Sequence, residues 1–317
     1  MYAPPHDFGV NIPAILHTAR EASYVEYAWP RRIGAAVWYH PYLSVLISTL
    51  VGLGLAILVA FAIGGTGLLG IRLGPGAFYS VIPWLAMLVP ASVMSLFILA
   101  VLTGSLATFW RSGRGPGDVP GPRVWWGAIL DAGSLRYLRG GGPGCYYPDG
   151  HIPSASRRRF HHFVLYGFAG DFASTVAAAI QQDLLGQLPP YPLLSVPVLL
   201  GSLGGIALIV GCSGLLYVEF KAWRLTTDVP SSQDIAFLVV LNLVAITGML
   251  LLVFRGTAAM GILLSVHLAT LGGLYFTLPY GKFVHGAYRF AALLRNRLEM
   301  SLDGQGRQSE QGFPAEN

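Results

Sequence analysis

The sequence predicts an all-α fold: a polytopic membrane helical bundle of six transmembrane helices, with both termini in the cytoplasm. Three observations lead there. Only 11% of the 317 residues are charged and 54% are hydrophobic, with a mean hydropathy of +0.57. A water-soluble domain carries about 25% charged residues, so this chain cannot cover itself for water. Six apolar runs are each long enough to cross ~30 Å of hydrocarbon. Finally, the cations are lopsided. With the N-terminus inside, 18 of the 20 Lys and Arg fall on the inner side and only Arg72 and Arg255 outside, the bias that orients bacterial-type membrane proteins.

The elements follow in order. Residues 1–40 are polar and aromatic, without a basic start and short apolar core, so they predict a cytoplasmic arm rather than a signal peptide. An interfacial helix opens there near Pro13. The first span is about 42–64 and the second about 80–104. Between 105 and 158 comes a stretch rich in Gly, Pro, Arg and Trp, "FWRSGRGPGDVPGPRVWWGAILDAGSLRYLRGGGPGCYYPDG". It reads equally as a flexible basic connector or as a docking surface, because Trp and Arg are favoured interface anchors. The third span is about 160–180 and the fourth about 193–218, where Gly201 and Gly205 form a small-xxx-small pair for close helix packing. The fifth is about 235–254 and the sixth about 258–281. The six-helix membrane domain thus occupies 41–289, and the polar tail 290–317 is expected to be disordered.

The net charge of +5 follows from this topology, and no nucleic-acid motif accompanies it, so no nucleic-acid partner is expected. The two cysteines, Cys145 and Cys212, cannot ligate a four-cysteine iron–sulfur cluster or a structural zinc site.

The histidines carry the chemistry. Ionisable groups at membrane depth are expensive and mark function. His267 and His285 are 18 residues apart in "SVHLATLGGLYFTLPYGKFVHG". On one continuous helix that spacing is five whole turns, so both would share a face about 27 Å apart. Neutral imidazole is a standard axial ligand of haem iron. The spacing therefore suits one or two stacked haems. A second ligand for the inner one comes from His161 or His162, at the cytoplasmic end of the third span. These neighbours differ by 100°, so only one can face the iron. The expected iron ligands are His161 and His285, with His162 and His267 as alternates. Arg159 and Lys282 could pair with propionates, or simply cap membrane helices as cations do. No other histidine matches the depth of His267, for which hydrogen bonding or quinone contact competes with metal ligation.

Two resemblances bear on these residues. "HLATLGGLYFTLPYGKFVH", with Pro279 twelve and Lys282 fifteen residues after His267, resembles the last helix of the respiratory nitrate reductase gamma subunit, a dihaem b membrane protein. "FHHFVLYGFAGDF" resembles that family's other ligand helix, which carries histidines ten apart. His161 matches the first, and Asp171 stands where the second would be. The wider resemblance is carried by "YAPPHDFGVNIP", "ASYVEYAWPRR", "GGGPGCYYPDG", "RRRFHHFVLYGF", "PYPLLSVPVLLGSLGGIALIVG" and "LPYGKFVHGAYRFAALLRN". Together they resemble the tricarballylate/citrate utilisation protein B family. That resemblance implies a haem b protein of the cytoplasmic (inner) membrane, which reoxidises a partner flavoprotein dehydrogenase and passes electrons to quinone in the membrane lipid. In the family, "YAPPH" follows a cysteine-rich region with two iron–sulfur clusters. This sequence starts at "MYAPPH", so the clusters are not ligated by it: either the start lies upstream, or an iron–sulfur domain or subunit supplies them. Against this electron-transfer reading stand a transporter using the buried histidines and a structural anchor for a soluble redox complex.

Overall fold

The computed structural model describes residues 12–64, 68–113, 119–139, 155–226 and 231–311. Every regular element among them is helical: α1 Ile12–Glu26, α2 Arg31–Tyr39, α3 Pro41–Gly64, α4 Trp84–Ser112, α5 Pro122–Gly133, a 3-10 turn Arg136–Arg139, α6 Ser156–Asp183, α7 Val196–Thr226, α8 Ser232–Phe254, α9 Met260–Thr277 and α10 Val284–Gln311. Six of these are long and apolar enough to cross a membrane: Pro41–Ala62, Trp84–Ser112, Ser156–Asp183, Val196–Lys221, Ser232–Phe254 and Met260–Thr277. Proline stands first in two of the helices, Pro41 in α3 and Pro122 in α5, where the missing N–H needs no partner.

The spans pack in the order α6, α7, α8, α9, α3, with α4 against α9. α8 and α9 are the most enclosed, while α3 and α4 turn most of their apolar surface outward. One core cluster joins Leu208 and Cys212 of α7 to Leu241, Val244 and Ala245 of α8 and Leu274 of α9. A second joins Ala60, Val81, Ile82, Met260 and Leu264 near the opposite end. The Cys212 thiol is free and buried; Cys145, His6 and His151 lie outside the described residues.

α6 and α7 meet backbone to backbone. A Cβ on Gly167 would stand 2.8 Å from the Leu208 nitrogen, and one on Gly211 would stand 2.7 Å from the Val164 nitrogen. Gly204 supplies the third such contact, 2.8 Å from the Asp171 nitrogen. The expected pair Gly201 and Gly205 does something different: each admits a side chain, Ser174 and Met249 respectively.

Three expectations change. First, 267–285 is not one helix. α9 ends at Thr277, and Pro279, which cannot donate a backbone hydrogen bond, sits in the turn that follows. The Thr277 carbonyl accepts from Tyr280 N at 3.2 Å and Gly281 N at 2.7 Å. His267 and His285 therefore belong to different helices, and the shared face is lost. Second, residues 290–311 belong to helix α10 rather than to a disordered tail; 312–317 lie outside the described residues. Leu294 and Leu298 are buried, Arg295 donates to the carbonyls of Trp110 at 3.2 Å and Gly113 at 2.7 Å, and Arg297 binds Asp131 at 2.7 Å. Third, part of the 105–158 connector is ordered: α4 runs on to Ser112, and α5 lies against α10.

At this same end an aromatic cluster ties α1, α2, α4 and α10 together. Tyr24 lies 5.3 Å from Trp38 and 5.5 Å from Tyr288, ring centre to ring centre, and Phe109 lies 5.1 Å from Tyr288. Gln233, at the start of α8, donates to the α2 carbonyls of Val37, at 3.0 Å, and Trp38. Three short helices, with the ends of the spans, thus build a fixed platform at one end of the bundle.

Candidate functional site

The platform end holds the three histidines expected at the inner haem, His161, His162 and His285. His161 lies in the second turn of α6, where Arg157, Arg158 and Arg159 precede it. His285 is the second residue of α10, placed there by the turn after Pro279. Their rings face one another with centres 6.1 Å apart and planes at 79°. Two imidazoles that clasp one metal ion stand about 6 Å apart, since a metal–imidazole nitrogen bond is about 2 Å.

The hydrogen bonds divide the labour among the imidazoles. His285 Nδ1 bonds the Lys282 carbonyl. A carbonyl can only accept, so Nδ1 carries the proton and Nε2 keeps its lone pair, the arrangement that orients metal-ligating histidines. His161 Nδ1 is buried without a partner among the described residues, and a buried polar atom left unpaired is the exception that calls for a cause. His162 makes the same kind of bond, from Nδ1 to the Arg158 carbonyl at 3.0 Å, but its ring stacks on Tyr166 with centres 6.0 Å apart. The two imidazoles placed to hold one metal ion between them are His161 and His285, because their rings meet.

The expected cations are placed less simply. Lys282 Nζ is 2.6 Å from Asp234, so its ammonium is already paired. Arg157 binds Glu219 at 2.6 Å and Arg158 donates to the Ser134 carbonyl at 2.9 Å. Arg159 is exposed. A residue not singled out from the sequence, Arg289, acts electrostatically on both His161 and His285. Its position one turn after His285 on the same helix was the available signal.

His267 lies elsewhere, ten residues along α9 from its end. Its Nδ1 is 3.0 Å from Thr247 Oγ1. With Asp171, Ser174, Gly201, Met249 and Leu271 it lines a partly open cavity of about 290 Å³ between α6, α7, α8 and α9. Asp171 is ten residues from His161 on α6, about 15 Å along the axis. The two sites thus lie in opposite halves of the bundle, and the Asp171 that interrupts the paired-histidine pattern shares its cavity with His267.

A family model described as Citrate utilization protein B matches residues 39–306. The chain is also similar to the Citrate utilization protein B of Escherichia coli, with 40% identity over 305 residues, covering 94% of this chain and 78% of that relative. No solved structure matches it. The matched stretch takes in all six apolar spans, the facing imidazoles and the cavity, and the chain belongs to the citrate utilization protein B family.

Proposed function

We propose that this chain is the membrane electron-transfer component of a citrate or tricarballylate utilisation system. It holds haem b between His161 and His285 at the cytoplasmic face of a bacterial inner membrane. It takes electrons that a flavoprotein dehydrogenase releases through an iron–sulfur domain or subunit, and delivers them to quinone. The observation that carries this reading is the facing pair, His161 and His285, with the proton of His285 committed to the Lys282 carbonyl.

Haem b bound there supplies a one-electron couple. The chain's residues do the rest. His161 and His285 would hold the iron from two separate helices, α6 and α10. The Lys282 carbonyl holds the His285 tautomer. Arg289 and Arg159 would supply positive charge for the group's carboxylates. The platform of α1, α2, α5 and α10 covers this end and offers the landing surface for the electron donor.

The test is a reduced-minus-oxidised absorption spectrum of the purified protein. Wild type is expected to show low-spin haem b. His161→Ala and His285→Ala are expected to lose it, and His162→Ala to retain it. Full low-spin haem in His285→Ala would overturn the assignment, and a wild-type protein without haem bands would return the choice to a carrier or a bare anchor.

A further inference from the structure

The cavity between α6 and α9 is a second site that haem ligation leaves unused. Its lining brings together two proton-carrying side chains from different helices, Asp171 of α6 and His267 of α9. Among the described residues the Asp171 carboxyl has neither an ion-pair nor a hydrogen-bond partner. The protonation of His267 follows from its neighbours. Thr270 Oγ1 donates to the His267 carbonyl at 2.9 Å. Thr247 Oγ1 lies 2.8 Å from the Leu243 carbonyl, which can only accept, so the Thr247 hydroxyl gives its single proton there. Thr247 must then accept at its 3.0 Å contact with His267. His267 Nδ1 therefore carries the proton, and Nε2 keeps a lone pair for a ligand or a further proton.

Small residues make the space. A Cβ on Gly248 would press within 3.1 Å of the His267 ring, and one on Gly201 within 2.9 Å of Ser174 Oγ. The other walls are mixed: Ser174, Thr175 and Ser202 bring hydroxyls, and Val244, Leu252 and Leu271 bring apolar surface. A partly open slot of this kind, with Asp171 and His267 on separate walls, fits a flat ring bearing two carbonyl oxygens. A second haem is poorly served: among the described residues, His267 is the one histidine in the cavity lining.

We propose that this cavity binds the head group of a quinone, and that Asp171 and His267 are the groups that deliver its protons. The inference rests on the haem assignment above, because the electrons come from haem b. The step balances. Two electrons arrive one at a time from reduced haem, leaving two equivalents of ferric haem. Both ring carbonyl π bonds are converted to C–O single bonds, and two O–H bonds form. One proton leaves the Asp171 carboxylic acid; the other comes from water at the open side of the cavity and is handed on through Nε2 of His267, which ends neutral as it began, and Asp171 is reprotonated from the same water. The product is the hydroquinone.

The experiment uses the detergent-purified holoprotein with decylubiquinone as the probe. Three quantities are measured for wild type, Asp171→Asn, His267→Gln and Ser174→Leu: haem per protein, equilibrium binding of radiolabelled decylubiquinone, and stopped-flow reoxidation of the reduced haem. Asp171→Asn and His267→Gln are expected to keep wild-type haem content and to slow reoxidation by decylubiquinone at least about tenfold. Their reoxidation by ferricyanide, which takes no proton, is expected to stay within about twofold. Ser174→Leu, which fills the slot, is expected to abolish binding of the quinone. Unchanged quinone reoxidation in both Asp171→Asn and His267→Gln overturns the proposal, as does unchanged binding in Ser174→Leu. A halved haem content in His267→Gln also overturns it, by showing a second haem in the cavity. A wild-type protein that lacks haem but binds decylubiquinone in a Ser174-dependent way would separate the two readings: the haem assignment fails and the proton-delivery step falls, while the cavity remains a quinone site.

Discussion

Asp131 shows how single contacts hold the platform. Its side chain is 4% exposed and lies 2.7 Å from Arg297 and 3.3 Å from Arg136. The hydrogen bond from Arg297 is the main reason its carboxyl is held below the usual carboxylate range, with Arg136 adding to it and burial opposing. A group depressed on folding stabilises the fold above its unfolded value, about 3.9, and loses that contribution as pH falls through the folded value. Asp131→Asn is therefore expected to lower stability by about 1–3 kcal/mol near neutral pH. The gap to wild type should stay constant above about pH 5 and shrink below about pH 4, as thermal melts in detergent across that range would show. Identical acid profiles for the two proteins would remove Asp131 from the account. The histidines teach the same lesson at this scale. Sequence could reduce the first candidate ligand to His161 or His162, but choosing between them needs the placement of the rings: His161 meets the His285 ring, while His162 stacks on Tyr166.

Among elements, the α6–α7 seam sets the position of His161. With Gly167, Gly204 and Gly211 in backbone contact, a larger side chain has nowhere to go. Gly167→Leu or Gly211→Leu is expected to destabilise by about 1–3 kcal/mol and, by displacing α6, to lower haem content in parallel. Gly104→Leu is the control, because nothing lies within 4 Å of a Cβ there. Melting temperature and haem per protein, measured together, decide the matter; a loss of stability at full haem content would uncouple seam from site. Glycine frequency in the fourth span announced close packing, yet which glycines touch backbone and which admit a side chain depends on helix rotation, which composition does not encode. α10 was hidden for a related reason. Its polar sequence, rich in Arg, Gln and Ser, reads as solvated chain, and the partners of Arg295 and Arg297, with the burial of Leu294 and Leu298, are what hold it on the bundle.

For the whole molecule, the six spans were readable because length and apolarity suffice to identify a crossing helix. The 18-residue histidine spacing was over-read. It assumed an unbroken helix, although Pro279 lies between the two imidazoles and breaks the register. Orientation remains an inference from charge. Reporter fusions after residues 70, 150, 187, 226 and 300 are expected to report outside, inside, outside, inside and inside, following the cation bias. A periplasmic signal at 150 would invert the bundle and move the facing histidines to the wrong side for a cytoplasmic donor.

The break at Pro279 has a mechanical consequence. It frees α10 from the direction of α9, so one rigid rod carries His285 in its first turn and, more than two turns further on, Arg295 and Arg297 clamped to α4 and α5. That rod is a lever whose short arm ends at His285 and whose long arm lies on the platform. A protein that presses on α5 or α10 would therefore have a handle on the bond that His285 would make to a bound iron. Cutting the handle with Arg297→Ala should leave haem bound but broaden its low-temperature electron paramagnetic resonance signal, as the angle between the imidazole planes loses its single value.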